Sequence, residues 1–295
     1  VSEEAHYCVD RAVRIMGWGE AGIIKIPVDG DYRMRYECLP EYLAQAKEEG
    51  LEVIAVVGSA CSTSTGSFDN LNALADFCEA EGLWLHVDGA HGAALSLSPR
   101  YRPVVDGLER ADSVAMDFHK MLLTPVLATA LIFRNGSDSY RTFSQRAQYL
   151  WSGQTKQEWY NLAKRTFECT KLMMGMKVYA LLRTYGFELW EAYLDKVMQN
   201  GALFASLVRA HPDFELAVDP ACNIVCFRYV KPGVDLDGLN ARIRQFLLED
   251  GRFYIVQTQL RTGLFLRVTL TNPHTGREDI EALLTLIASK ASELG

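Results

Sequence analysis

Leu83–Lys120 reads LWLHVDGAHGAALSLSPRYRPVVDGLERADSVAMDFHK. The apolar run Leu83–Val87 predicts a buried central strand that ends in Asp88. Ser98-Pro99 marks a turn in the connection, and a second apolar run predicts a strand ending in His119-Lys120. An acid and a lysine are thus delivered by the ends of two strands. In open α/β sheets ligands sit beyond the carboxyl ends of the strands, so this pair marks the expected site.

Upstream, Val53–Val57 is rich in β-branched residues and predicts a buried strand. Gly58–Gly66 (GSACSTSTG) is a small polar loop at its end. Asp69 or Asn70 can cap the next helix, whose buried face is Leu71, Leu74, Ala75 and Cys78 at helical spacing. Gly82 closes that helix and Leu83 follows. Strand, loop, helix and strand form a βαβ unit, which implies a parallel sheet. Further out, Val1–Arg14 predicts a helix with His6 near its start, and Ile23–Val28 a short strand before an Asp29-Gly30-Asp31 turn. Pro40 opens a helix that reads to Glu49 and stops at Gly50.

Downstream, Leu127–Phe133 (LATALIF) predicts another buried strand. Arg134–Lys156 is polar and irregular, with Tyr149, Trp151 and Gly153, a length of loop that is often functional. Trp159–Tyr185 reads as a long helix ended by Gly186, and Phe187–Ala210 as a second. The last third alternates like strands at Phe214–Val218 and Ile224–Tyr229, then gives an amphipathic helix at Leu236–Leu248. Tyr254–Leu260 and Leu264–Thr269 form a hairpin around Thr262-Gly263, and Thr275-Gly276-Arg277-Glu278 is a capping box before a final helix. The expected division is a large α/β domain over 1–180, mainly parallel sheet with helices on both faces, and a small α+β domain over 181–295.

The chain has 295 residues, enough for a full core and two domains. A net charge of −7 argues against nucleic-acid binding, which needs a basic face. No run of eighteen apolar residues suggests a membrane span. The seven cysteines are odd in number and contain no C-x-x-C, as expected of reduced thiols in a cytoplasmic protein without a cysteine metal site. His86, Asp88 and His91 offer too few convergent ligands for a metal centre, so no metal is expected. Gly-x-Gly-x-x-Gly and Gly-x-Ser-x-Gly are both absent, which removes the nicotinamide and nucleophile-elbow readings.

AHYCVDRA, CSTSTGSFD, HVDGAHG, DFHK, AQYLW and FLRVTLTNP occur in that order along the chain. In these six pieces the sequence resembles the group II pyridoxal-phosphate (PLP) decarboxylases, a family that includes the aromatic amino acid, glutamate, cysteine sulfinate and 2,4-diaminobutyrate enzymes. The resemblance implies a PLP-dependent transferase-like (type I aminotransferase-like) fold, pyridoxal 5'-phosphate as cofactor, and a homodimer with its active site at the interface. It implies a carboxy-lyase that converts an L-amino acid to the amine and carbon dioxide. Residue by residue, Lys120 matches the lysine that holds PLP covalently, and Asp88 the acid that faces the pyridine nitrogen. His6 matches the histidine stacked on the ring, and Ala90 a small residue on the ring's opposite face, on the same side of the strand as Asp88. Thr63 matches a threonine near the ring hydroxyl, and His119 a histidine that touches the phosphate. Tyr149 matches a loop tyrosine that reaches the neighbouring subunit's site and returns a proton to carbon; aldehyde-forming relatives carry phenylalanine there.

Each residue has an ordinary alternative: a solvated charge for Lys120, a capping acid for Asp88, a structural helix start for His6, a turn hydroxyl for Thr63 and a loop aromatic for Tyr149. Three departures stand out. The family's phosphate-binding segment lies before the histidine, and nothing upstream of His6 supplies it, so the expectation is an incomplete piece or a cup from another polypeptide. Cys61 replaces a glycine common in the family, and Asp117 replaces the asparagine of the aromatic and glutamate enzymes. Arg165 and Arg267 can each bind a substrate carboxylate or pair with acids of the fold. The competing functions are aldehyde-forming decarboxylation, transamination and a non-catalytic domain.

Overall fold

A computed structural model describes residues 1–143, 160–168 and 170–294. Two four-stranded sheets carry the architecture. The first comprises β1 (Ala55–Ser59), β2 (Trp84–Asp88), β3 (Ser113–Asp117) and β4 (Thr129–Phe133), in that spatial order. β1, β2 and β3 run parallel, and β4 pairs antiparallel with β3. Ahead of and among these strands lie α1 (Tyr7–Ile15), α2 (Leu39–Glu48) and α3 (Leu71–Glu81). The β1–α3–β2 unit is the predicted βαβ. Asn70 caps α3 by accepting from the Ala73 N–H at 3.1 Å, and Gly82 ends it in the left-handed region. Leu71, Leu74, Ala75 and Cys78 are buried as expected. Gly58 lets the helix sit close to the strand: a Cβ there would lie 2.8 Å from Leu74 Cδ1.

Asp69 is not the cap. Its carboxylate is buried and accepts from the Met34 N–H and the Ser59 N–H, both at 2.7 Å. It therefore ties the end of β1 to the Met34 segment. Burial pushes its pKa up, and the two N–H donors oppose that shift by favouring the anion.

α4 (Phe118–Met121) follows β3 directly, and α5 (Gly136–Thr142) follows β4. α6 (Gly175–Tyr185) and α7 (Glu188–Ala210) lead to the second sheet. That sheet contains β5 (Phe214–Leu216), β6 (Ile224–Tyr229), β7 (Val256–Leu260) and β8 (Gly263–Thr269), all antiparallel and ordered β5-β6-β8-β7. α8 (Leu236–Asp250) and α9 (Arg277–Leu294) cover it.

Each sheet has its own core, and α7 contributes to both. Trp190, Leu194 and Val197 pack with Leu74, Leu85, Val87, Leu95 and Met121 around the first sheet. Phe204 and Val208 pack with Phe227, Leu239, Ile243 and Leu266 around the second. Gly201 lies between these groups, where a Cβ would meet Cys222 O at 2.7 Å. Burying each of these large side chains contributes about 1.5–3 kcal/mol.

Several expectations need correction. Among the described residues Ile23–Val28 forms single bridges rather than a strand, Ser2 to Ile26 and Val28 to Met34, because the segments beside it pair with it for only a residue or two. β1 starts two residues later than predicted, and Ile54 is exposed. The second strand of the opening stretch stops at Asp117; His119 and Lys120 ride on the single turn of α4. β4 exists but is not buried: as the outer strand of the described sheet, it leaves Leu131 and Ile132 each 45% exposed. Arg134–Lys156 contains α5, started by Asn135 Oδ1 accepting from the Ser137 N–H. The long helix from Trp159 is absent over the described residues before α6, which hold a short 3-10 turn at Leu162–Arg165. Leu162, Phe167, Leu172 and Met173 there face solvent, so no core contact rewards helix formation. The hairpin turns at Arg261-Thr262, with Leu260 paired to Gly263, one residue earlier than read. The cap of α9 is also shifted by one: Asp279 reaches back to the Gly276 N–H at 2.8 Å.

Candidate active site

The carboxyl ends of β1, β2 and β3 lie side by side, with Ser59 level with Asp88 and Asp88 level with Ala115. Asp88 is the last residue of β2 and is half-buried. Its Oδ1 accepts from the Ala90 N–H at 3.2 Å, and the Ala90 carbonyl accepts from the Asp117 N–H at 3.1 Å. Ala90 therefore does not sit on the strand. It forms the turn that holds Asp88 and stitches the ends of β2 and β3 together. Gly89 makes that turn possible, since a Cβ there would lie 2.5 Å from Ala93 Cβ and 3.0 Å from Ala115 O.

Lys120 projects from the turn of α4, with Nζ 3.0 Å from Asp117 Oδ2. Asp117 Oδ1 accepts from the Thr129 hydroxyl at 2.6 Å, so one carboxylate links β4, the end of β3 and the lysine. His119 lies behind this pair. Its Nδ1 is 3.0 Å from Ala128 O and its Nε2 3.7 Å from Asp117.

His6 arrives from the N-terminus of α1, where its Nδ1 accepts from the Cys8 N–H at 3.3 Å. A ring nitrogen of His6, the Cys8 sulfur and an Asp88 oxygen all lie within 4.8 Å of one another. Partial desolvation by its neighbours first, and then the Asp88 charge, push the pKa of the surface Cys8 thiol up, while the Lys120 charge pulls it down. His6 and Asp88 thus meet at Cys8, and Cys8 also feels the Lys120 charge. Thr63 is exposed on the loop after β1, beside a web of hydroxyls in which Thr65 Oγ1 lies 2.8 Å from both Ser62 Oγ and Ser67 Oγ. Tyr149 lies outside the described residues.

The floor of the site is shared between the two sheets. His91 Nε2–H donates to Asn223 Oδ1 at 2.8 Å, and Asn223 in turn donates to Leu270 O at 3.0 Å. Burial lowers the His91 pKa to about 4; the Lys120 and Arg267 charges lower it further, and Asn223 and Asp117 oppose. Cys61 and Cys222 face each other across the same junction, Sγ to Sγ 3.8 Å. Arg267 Nε is buried with no hydrogen-bond partner among the described residues. Arg165 stacks over the Tyr140 ring at 5.2 Å. His86 is engaged by the Ser113 hydroxyl at 2.8 Å and takes no part in the cluster.

Sequence reading missed three of these contacts. Cys8 stands beside His6 in AHYCVDRA, which was the available signal. The Asp117–Lys120 pair shows as an i,i+3 spacing once α4 is known to be helical. The His91–Asn223 bond spans 132 residues and leaves no local trace.

A mainly parallel α/β sheet with an acid and a lysine at its strand ends, beside a second antiparallel α+β layer, is the architecture of the PLP-dependent type I fold class. The family description "Pyridoxal-dependent decarboxylase conserved domain" matches residues 1–230, and the chain belongs to that family. It is 30% identical over 308 residues to an aspartate 1-decarboxylase of Aliivibrio fischeri, covering 96% of this chain and 55% of the relative. It is 30% identical over 296 residues to an L-2,4-diaminobutyrate decarboxylase of Rhizobium meliloti, covering 99% and 59%. A solved structure, the glutamate decarboxylase domain of diaminobutyrate-pyruvate transaminase and L-2,4-diaminobutyrate decarboxylase from Vibrio parahaemolyticus, superimposes with a TM-score of 0.85 at 30% identity, covering 99% of this chain and 58% of that one. The chain thus spans less than two thirds of the length of each.

Proposed function

We propose that the protein is a PLP-dependent carboxy-lyase that converts an L-amino acid to the corresponding amine and carbon dioxide. The observation that supports this reading is the meeting of His6 with Asp88 at the end of β2, within reach of the Lys120 charge. Those donors fit the cofactor: an amine for the covalent link, and a carboxylate at a strand end, held by the Ala90 N–H, for the ring nitrogen.

When bound, PLP supplies an electron sink for the pair left behind as carbon dioxide departs. Asp88 would hold a proton at the ring nitrogen, its orientation fixed by the Ala90 N–H. Lys120 would form the link through Nζ and release the product, with Asp117 positioning that amine. His6 would lie across the ring, Thr63 near its hydroxyl and His119 near the phosphate. Tyr149 would return a proton to the α-carbon.

The assembly we propose is a homodimer. The apolar surface at Val126 and Leu127, tied by Lys177 Nζ to the segment carrying Met176 and Tyr179, is exposed in the single chain and supports it. Free thiols at the six described cysteines support a reducing, cytoplasmic setting. Among the described residues no helix is long and apolar enough to cross a membrane.

The test is a panel of aspartate, glutamate, 2,4-diaminobutyrate, cysteine sulfinate and aromatic amino acids, incubated with full-length protein and PLP. Carbon dioxide and the amine are expected in equal amounts from at least one. A keto acid without carbon dioxide, or an aldehyde with peroxide and ammonia, would replace the reading with transamination or oxidative decarboxylation.

A further inference from the structure

Cys8 has no part in the proposed reaction, yet it occupies the centre of the site. Its sulfur, a ring nitrogen of His6 and an oxygen of Asp88 are mutually within 4.8 Å. Tetrahedral zinc with metal–ligand bonds of 2.0–2.3 Å separates its ligands by about 3.2–3.8 Å, so modest side-chain rotation closes the gap. A nitrogen, a sulfur and an oxygen make a borderline-soft set that favours Zn²⁺ and Co²⁺ over Mg²⁺ or Ca²⁺. Two ligands come from the N-cap and first turn of α1 and one from the end of β2, so the group is anchored on two elements rather than one flexible loop. Cys8 is exposed, which gives an ion an entry path and leaves a fourth position for water.

We propose that His6, Cys8 and Asp88 form a binding site for a thiophilic divalent cation of the Zn²⁺ type, and that the ion excludes the cofactor. Binding forms a metal–thiolate bond and sends the thiol proton to solvent. The doubly charged ion then meets one thiolate and one carboxylate, and the site is neutralised. Exclusion of the cofactor rests on the reading above, because the ion takes His6 and Asp88 from it. The site therefore makes the enzyme sensitive to free zinc whenever it is short of PLP.

The experiment titrates full-length protein with Zn²⁺ by calorimetry and with Co²⁺ by absorption, with and without saturating PLP. One ion per chain is expected, with a sulfur-to-cobalt charge-transfer band. Cys8→Ala should remove the band and weaken Zn²⁺ at least about tenfold, the scale on which metal sites respond to lost support. Cys8→Ser, which keeps the side-chain size, should do the same, and circular dichroism reports whether each variant is folded. Saturating PLP should weaken Zn²⁺ binding at least tenfold. Unchanged Zn²⁺ affinity and an unchanged cobalt spectrum in either folded variant would overturn the metal site. PLP binding by a protein that takes up no ion would overturn it too, and would leave the cofactor reading standing. An ion bound through Cys8 with equal affinity in the PLP-saturated protein would keep the metal site and overturn the placement of His6 and Asp88 around the cofactor.

Discussion

The strands β4 and β6 are both apolar runs, and they meet opposite fates. β6 is buried along nearly its whole length, between Phe204 and α8 on one side and β8 alongside. β4, with the sequence TALIF, leaves Thr129, Leu131 and Ile132 exposed. The contrast extends to the two sheets that contain them. The second sheet invests in packing: Phe227, Leu239, Ile243, Leu247 and Leu266 are fully buried. The first sheet spends its strand ends on polar groups, Ser59, Asp88 and Asp117, and binds each with a named partner. The first sheet is packed as well, through Leu74, Leu85, Val87 and Leu95; what sets it apart is that its strand ends carry the polar groups.

The largest expected effect tests the chemical side of that contrast. Lys120→Ala should lower turnover by at least about a thousandfold, the scale of losing a covalent and proton-handling group. Because the Lys120 side chain is 42% exposed, the free energy of unfolding should change by less than about 1 kcal/mol. Steady-state assays and equilibrium unfolding on the same preparation check both halves; retained turnover would remove Lys120 from the mechanism. The complementary change is Phe227→Ala. Phe227 is fully buried, with its ring 4.9 Å from that of Phe204 and 6.1 Å from that of Phe214. Its loss should cost about 3–5 kcal/mol in urea unfolding, leaving the affinity for PLP unchanged in the folded fraction.

His91 joins the two regions and gives an effect of intermediate size. Its folded pKa, about 4, lies below the ordinary value of 6.5, because burial disfavours the charged ring. Between these values the unfolded chain binds the proton and the folded chain does not. Stability from this residue is therefore complete above pH 6.5 and is lost as pH falls towards 4. The loss approaches about 3 kcal/mol at the lower end. His91→Gln can still donate to Asn223 Oδ1 and does not titrate, so its unfolding midpoint should fall less than wild type's over this window. Parallel midpoints for the two proteins would show that His91 charges without cost.

How far these properties could be read from the sequence depends on how local their causes are. The βαβ unit was legible, because Asn70, Gly82 and the spacing of Leu71, Leu74 and Cys78 each act within a turn or two. The acid and lysine were legible as strand-end residues, although Lys120 sits three residues past its strand on a turn that four residues cannot announce. Strand alternation places Ala90 on the Asp88 side only if β2 continues, and the chain turns right after Asp88. The buried clamp made by Asp69 was mistaken for one of two capping choices, since Asp69 and Asn70 offer the same chemistry and only tertiary position separates them. The meeting of Cys8 with Asp88 joins positions 80 residues apart and has no periodic signature. The burial of β4 could not be read at all: TALIF and IVCFRY look alike, and the difference lies in what packs beside them.

That last difference sets the smallest effect. Leu131→Thr exchanges an exposed leucine for a β-branched residue that suits a strand. If β4 faces solvent in the folded protein, the substitution should change unfolding free energy by no more than about 0.5 kcal/mol. The same experiment run across a hundredfold range of protein concentration adds the decisive comparison. A destabilisation that grows with concentration would mean that another copy of the chain covers β4, and the strand would then belong with β6 as a packing element. A flat, near-zero response would keep β4 as the open margin of the sheet that carries the chemistry.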